Sequence, residues 1–234
     1  MKQFWIFSLW LSLASCLMGC QEDETAQTAQ RWGYLSLPDV SVQVENLNLL
    51  PTRTASDEDP LTVEIRQGEE VVKSYASDAL PEKIELEPGF YTLCVYNDSH
   101  GKPWVALGTP DYFYTSENAF EIKEGETNML ETIRVPMVNF GVRLQLPDEF
   151  NTWFPNYTFT VQVGEQSVTL KDQETAYFDY TDGVGITYTL QTENTDGDQN
   201  NLKGSYGEEE GETVKKGTVY VVTYNFVTRS FVIE

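Results

Sequence analysis

The stretch from Asp196 to Asn200 is the best candidate for metal chemistry in this sequence. Asp196, Asp198 and Asn200 place carboxylate and amide oxygens on alternate positions, and oxygen ligands suit Ca²⁺. An EF-hand loop would have glycine directly after Asn200 and glutamate at its twelfth position, and this chain has neither. We therefore predict an exposed Asp-Gly loop without a metal, with a calcium site as the less favoured alternative.

Cys94 is the candidate residue for thiol chemistry, because Cys16 and Cys20 lie in the N-terminal segment. A catalytic thiol needs a histidine partner, and the one histidine of the sequence is His100, on a glycine-containing loop. Residues 90–96 have the composition of a strand, where a cysteine is commonly a small buried side chain. We expect Cys94 to be buried, with a Cys94–His100 pair as the minor alternative.

Other catalytic motifs are absent from the sequence: there is no G-x-S-x-G, H-E-x-x-H, P-loop or G-x-G-x-x-G. One histidine and three cysteines without a C-x-x-C exclude the usual zinc sites. A glycosidase site with two carboxylates is not excluded by the sequence, because a sequence does not show the distance between two carboxylates. Trp32, Trp104 and Trp153 could stack on sugar rings, although aromatic side chains are more often buried. The prediction is a non-enzymatic protein without a cofactor.

The N-terminus has the three parts of a bacterial export signal. Lys2 is the positive start, residues 4–17 are apolar, and a small-residue junction follows at Gly19. The apolar run is shorter than the about 20 residues of a spanning helix. Residues 17–20, Leu-Met-Gly-Cys, resemble a lipobox, which implies cleavage after Gly19 and a lipid on Cys20. A plain secretory signal or an uncleaved helix is the alternative.

The residues after Cys20 predict a flexible, lipidated acidic tether over residues 20–32. Residues 21–30 contain no large apolar side chain and favour disorder. Glu22, Asp23 and Glu24 resemble the acidic export signal of Bacteroidetes surface lipoproteins. This resemblance implies a protein anchored in the outer membrane and facing the cell exterior, and an ordinary solubilising linker is the alternative.

The charge of the chain excludes several partners. The formal net charge of the 234 residues is −22, and removing Lys2 with the signal makes it −23. An acidic protein repels phosphate backbones and anionic head groups, so we expect no nucleic-acid partner. Contact with the membrane is expected only through the lipid on Cys20.

Short apolar–polar alternations with turn residues between them predict an all-β fold. Hairpin turns are expected around Gly68, Gly125 and Gly164, and a type II turn with positive φ at Gly89. One or two helical turns are expected within residues 147–154. The pattern starts again near Pro136, which predicts two tandem antiparallel β-sandwiches of transthyretin or immunoglobulin type. The predicted limits are a signal peptide at 1–19, the tether at 20–32 and β-sandwich domains at 33–137 and 138–234.

Four segments carry a resemblance to a known family. They are residues 33–37, 61–65, 80–93 with Leu-Pro and Pro-Gly-Phe-Tyr, and 139–144. Their order resembles a family of Bacteroidetes surface lipoproteins with a fimbrillin-like, transthyretin-like tandem sandwich layout. The resemblance implies a fimbrial or adhesin-type component that engages fimbrial subunits, a host surface protein or a glycan.

Fimbrillin stalk subunits are cut by an Arg-directed protease, and Arg31 and Arg53 are the possible cut sites here. Subunits that anchor a fimbria keep their lipid, and the sequence fits them equally well. The alternative function is a glycan-binding lipoprotein of a polysaccharide-uptake system.

Overall fold

The computed structural model describes residues 31–43 and 61–233. The predicted signal peptide, the lipid site Cys20, most of the tether and Arg53 lie outside the described residues. The described chain is almost entirely β, with one short α-helix and a single 3₁₀ turn. No helix among the described residues is long and apolar enough to cross a membrane.

The first group of strands covers residues 33–136. These strands are β1 Gly33–Ser36, β2 Val40–Gln43, β3 Thr62–Gln67, β4 Glu70–Ala76, β5 Ile84–Leu86, β6 Gly89–Tyr96, β7 Phe113–Thr115, β8 Phe120–Ile122, β9 Thr127–Met129 and β10 Ile133–Pro136. One sheet has the order β4-β3-β6-β7, with β8 also paired to β6. The others are β5-β1-β9 and the pair β10-β2.

The second group of elements covers residues 140–233. They are β11 Phe140–Gln145, α1 Phe150–Trp153, β12 Asn156–Val163, β13 Gln166–Leu170, β14 Thr175–Phe178, β15 Ile186–Glu193, β16 Gln199–Tyr206, β17 Val219–Asn225 and β18 Ser230–Ile233. Two four-stranded sheets form here, with the orders β14-β11-β17-β18 and β13-β12-β15-β16.

Each group of strands buries its own set of apolar side chains. One core cluster is drawn from buried residues between Leu35 and Val135, and the other from residues between Phe140 and Tyr224. The all-β, tandem-sandwich prediction is confirmed. Most pairs are antiparallel, and three are parallel: β1 with β9, β2 with β10 and β11 with β17. The domain limits at 137 and 138 stay a prediction.

The loop between β6 and β7 packs onto the core cluster drawn from residues 140–224, which we call the second core. The indole nitrogen of Trp104 donates to the backbone oxygen of Tyr177 at 2.7 Å, and its ring stacks on Phe178 at 6.0 Å. Nearby, the backbone N–H of Asp111 donates to the side-chain oxygen of Asn139 at 3.0 Å. Trp104 is therefore a packing residue.

The predicted hairpin glycines have left-handed backbone, with φ of 63° at Gly68, 71° at Gly125 and 56° at Gly164. The prediction for Gly89 is wrong. Gly89 begins β6, pairs with Ile122 of β8, and is not among the glycines with positive φ. Pairing with a neighbouring strand holds this residue extended, so the turn ends before it.

Candidate functional site

The outward side of the sheet β13-β12-β15-β16 is made of polar side chains. Successive side chains of a strand point to opposite faces, so the burial of Phe159, Val161 and Leu190 assigns the inward positions. The outward positions, which we call the polar face, are Asn156, Thr158, Thr160, Gln162, Ser167, Thr169, Thr187, Thr189, Gln191, Glu193, Gln199, Asn201, Lys203 and Ser205. No apolar side chain occurs among these positions.

Strand register places these side chains in rows across the sheet. Thr158 lies opposite Gln191, which lies opposite Asn201 on the next strand. Asn156 lies opposite Glu193, and Glu193 lies opposite Gln199. Neighbouring strands are about 4.8 Å apart, so each row presents hydrogen-bonding groups at that spacing.

One end of the polar face forms an open hollow of about 870 Å³. Its lining includes the first two rows of the face, together with Lys171 and Asp172, which follow β13. We take this shallow, open hollow as the candidate site, because it gathers amide, hydroxyl and charged groups from four strands. The exposed Trp153 lies two residues before Pro155, which also lines the hollow.

The polar face carries little charge for so acidic a chain. Its outward positions include one acid, Glu193, and one base, Lys203, although the formal net charge of the chain is −22. The charged side chains that line the hollow are Lys171, Asp172 and Glu193. The carboxylate of Asp172 already accepts from the backbone N–H of Leu146 at 2.7 Å.

Of the predicted calcium residues, Asn200 lines the hollow, and Asp196 and Asp198 lie in a loop that internal hydrogen bonds close. Asp196 and Asp198 are exposed in the loop between β15 and β16. Their backbone N–H groups donate to the side-chain oxygen of Asn194, whose amide donates to the carboxylate of Asp198 at 3.1 Å. The side-chain oxygen of Asn200 accepts from the N–H of Asn201. The described residues contain no group of three or more His, Cys, Asp or Glu side chains suited to a metal. The calcium alternative stays an untested prediction.

Cys94 and His100 have separate environments. Cys94 is buried in β6, and burial raises the pKa of its thiol, with the opposing charge of Arg66 a smaller influence. His100 holds Nδ1 3.0 Å from a carboxylate oxygen of Asp111, and its ring stacks on Phe113 with centroids 4.1 Å apart. A thiol with a raised pKa is a poor nucleophile at neutral pH, which favours the structural interpretation of Cys94.

A charged cluster that the sequence did not indicate lies on β3 and β6. Glu64 is only 9% exposed, although alternation along β3 places it on the outward side. Its carboxylate accepts from the hydroxyl of Tyr96 at 2.7 Å and from Nε of Arg66 at 2.9 Å. Burial alone would raise the pKa of Glu64, but the hydrogen bonds from Tyr96 and Arg66 and the charge of Arg66 together hold it below its ordinary value.

We expect Arg66→Met to destabilise the protein by about 1–3 kcal/mol at pH 7, because Glu64 then keeps a buried charge without its guanidinium partner. A carboxyl with a depressed pKa stabilises the fold above its ordinary pKa and loses that contribution as the pH falls. The deficit of the variant should therefore shrink as acidification below about pH 4.3 protonates Glu64.

Urea unfolding of both proteins between pH 7 and pH 3 measures this difference. Arg31→Met is the matched control, since the Arg31–Glu124 pair is 70% and 48% exposed and should contribute little. A deficit for Arg66→Met that stays constant with pH would show that Glu64 and Arg66 are not coupled.

Fold and hollow together define an all-β, tandem-sandwich protein whose candidate site is an open sheet surface. The chain belongs to the family described as "Domain of unknown function (DUF4493)", whose sequence profile matches residues 32–233. No curated protein matches the chain.

Several solved structures from Bacteroides are similar over most of their length. A candidate cell adhesion protein from Bacteroides ovatus is 9% identical over 86% of this chain and 94% of its own, with a TM-score of 0.43. A candidate adhesin from Bacteroides ovatus is 12% identical over 87% and 93%, with a TM-score of 0.41. A candidate polysaccharide-binding protein from Bacteroides thetaiotaomicron is 10% identical over 82% and 91%, with a TM-score of 0.41. At these scores the likeness carries no argument about function.

Proposed function

We propose that this protein is a non-enzymatic binding protein of the adhesin type, held on the outside of the cell by a lipid on Cys20. The observation that carries the proposal is the hollow on the polar face, a broad and accessible surface of hydrogen-bonding groups on a rigid sheet. A site on paired strands is held in place by the backbone hydrogen bonds of the sheet. The lipobox-like Cys20 and the acidic tether support display at a membrane.

The thiol, the imidazole and the buried carboxylate of the described residues are engaged in structural contacts. The thiol of Cys94 is buried, and His100 is occupied with Asp111 and Phe113. The buried carboxylate of Glu64 is neutralised by Arg66 and bonded to Tyr96. These contacts support binding as the role of the protein over catalysis.

A fimbrial role would require a strand that can be exchanged with another subunit. β1 is the central strand of its sheet, between β5 and β9, and buries Leu35 completely. Cleavage after Arg31 would leave β1 attached, because the strand begins at Gly33. Only a cut between β1 and β3, such as one after Arg53, could separate β1 from the rest. Fimbrial assembly is therefore a second candidate that depends on that cut.

An adhesion assay on intact bacteria tests the proposed function. Cells that make the protein should adhere to wells coated with desialylated mucin glycoprotein several-fold more than cells in which the gene is deleted. Restoring the gene should restore adhesion, and an equal number of cells without the gene is the control. Equal adhesion by both strains, on glycosylated and on deglycosylated mucin, would contradict an adhesin-type role.

A further inference from the structure

The outward rows of the hollow offer no apolar anchor for a protein partner, and the apolar or aromatic side chains of its lining are Pro155, Tyr157 and the buried Leu170. Protein interfaces are organised around buried aromatic or aliphatic side chains with arginine, surrounded by a polar rim. The outward rows that line the hollow contain only amides, hydroxyls and one carboxylate, from Asn156, Thr158, Gln191, Glu193 and Asn201.

The side chains in these rows are free to bond with a ligand. Within the described part of the chain, those of Asn156, Thr158, Gln191, Glu193 and Asn201 make no hydrogen bond or ion pair with another residue. Elsewhere on the surface, comparable groups are used internally, as when Asn194 closes its loop onto Asp198. Each amide presents both donors and an acceptor, so neighbouring amides can bond to adjacent hydroxyl groups of one ligand.

The charge of the hollow disfavours an anionic ligand. Its charged lining residues are one base, Lys171, and two acids, Asp172 and Glu193, a formal sum of −1. The rest of the chain is strongly acidic, with a formal net charge of −22, and repels polyanions at a distance. An anionic polysaccharide or a nucleic acid would approach against this field.

We propose that the hollow binds a neutral oligosaccharide, either free or as a segment of a longer glycan. The row Thr158–Gln191–Asn201 and the row Asn156–Glu193–Gln199 lie side by side on the sheet. Their donors and acceptors bond to the hydroxyl groups of successive sugar units, and the open shape of the hollow lets a chain continue past both ends. This inference rests on the proposed binding function and names the ligand class of the same site.

Affinity electrophoresis of the full mature chain, Cys20 to Glu234 in detergent, provides the test. The gels contain neutral polysaccharides, namely starch, β-glucan, xylan and mannan, and polygalacturonan serves as the anionic control. We expect retardation by at least one neutral polysaccharide and none by polygalacturonan. Isothermal titration with an oligosaccharide from the retarding polymer then gives the Kd.

The variant Gln191→Ala/Asn201→Ala removes two amides from one row of the hollow. It should weaken binding about tenfold, since two hydrogen-bonding groups are lost. The control is Gln162→Ala/Ser205→Ala, two outward positions on β12 and β16 at the other end of the same sheet and outside the hollow. The control should bind within about twofold of the unchanged chain, and both variants should unfold at the same temperature as that chain.

The possible outcomes separate this inference from the proposed function. Absence of retardation by every neutral polysaccharide, or equal binding by the two double variants, overturns the glycan site. If, in that case, cells that make the protein still adhere to deglycosylated mucin more than cells without the gene, the adhesin-type function stands with a protein ligand. If adhesion is also absent, both proposals fall.

Discussion

Phe150→Ala is expected to lower the free energy of unfolding by about 3–5 kcal/mol, the range for removing a buried phenylalanine. Phe150 is 0% exposed and is the central ring of an aromatic cluster. Its centroid lies 5.1 Å from that of Phe154, 5.2 Å from Tyr224, 5.5 Å from Tyr157 and 6.2 Å from Phe226. An alanine there would leave a cavity that these large rings cannot close without shifting α1 and β17.

Trp153→Ala is the matched control for this prediction, because Trp153 ends the same helix and is 60% exposed. It also truncates a large aromatic side chain, but little packing is lost, so the expected cost is within about 0.5 kcal/mol. Urea unfolding followed by tryptophan fluorescence and by circular dichroism measures both variants. Similar losses for the two substitutions would mean that Phe150 is not the centre of the second core.

The fold class could be predicted because apolar and polar residues alternate with a period of two in many segments of the chain. In residues 157–163, alternate positions carry Tyr157, Phe159, Val161 and Val163, and the structure buries the last three of these. The helical turn near residue 150 was also predictable from its flanking Pro147 and acidic residues. These are local signals, and each needs only a few neighbouring residues to be recognised.

The register between strands could not be predicted from the sequence. The row Thr158–Gln191–Asn201 joins residues from three strands, and nothing in any one strand specifies its partner. The polar alternation of residues 156–162 and 187–193 was visible, but it is typical of any solvent-facing strand. Only the pairing shows that both alternations lie on one face and meet at the hollow.

Glu64 shows that alternation along a single strand does not always predict which side chains are exposed. The pattern Val63-Glu64-Ile65 correctly places Glu64 on the outward side of β3, from which exposure would be expected. The structure buries it because Tyr96, on the adjacent strand, and Arg66 both bond to its carboxylate. Burial on an outward face depends on neighbours across the sheet, so a single strand does not reveal it.

Cys20→Ala is expected to abolish membrane attachment or to leave the uncut precursor, which makes it the largest change predicted for this protein. Each buried lipid CH₂ contributes about 0.8 kcal/mol, and a single acyl chain binds only marginally, so stable attachment needs more than one chain. Without the thiol of Cys20, no chain can be attached there. The acidic folded part, repelled by anionic head groups, supplies no substitute for the lipid.

Metabolic labelling with a fatty-acid analogue, followed by separation of soluble and membrane fractions, measures this outcome. The unchanged protein should carry the label and sediment with the outer membrane, and the Cys20→Ala variant should carry none. Cys94→Ala is the control, because Cys94 is buried in β6 and out of reach of an acyl transferase. It should retain both label and location. Label on the Cys20→Ala variant would place the lipid on another residue, and the proposed display of the hollow outside the cell would then need a different anchor.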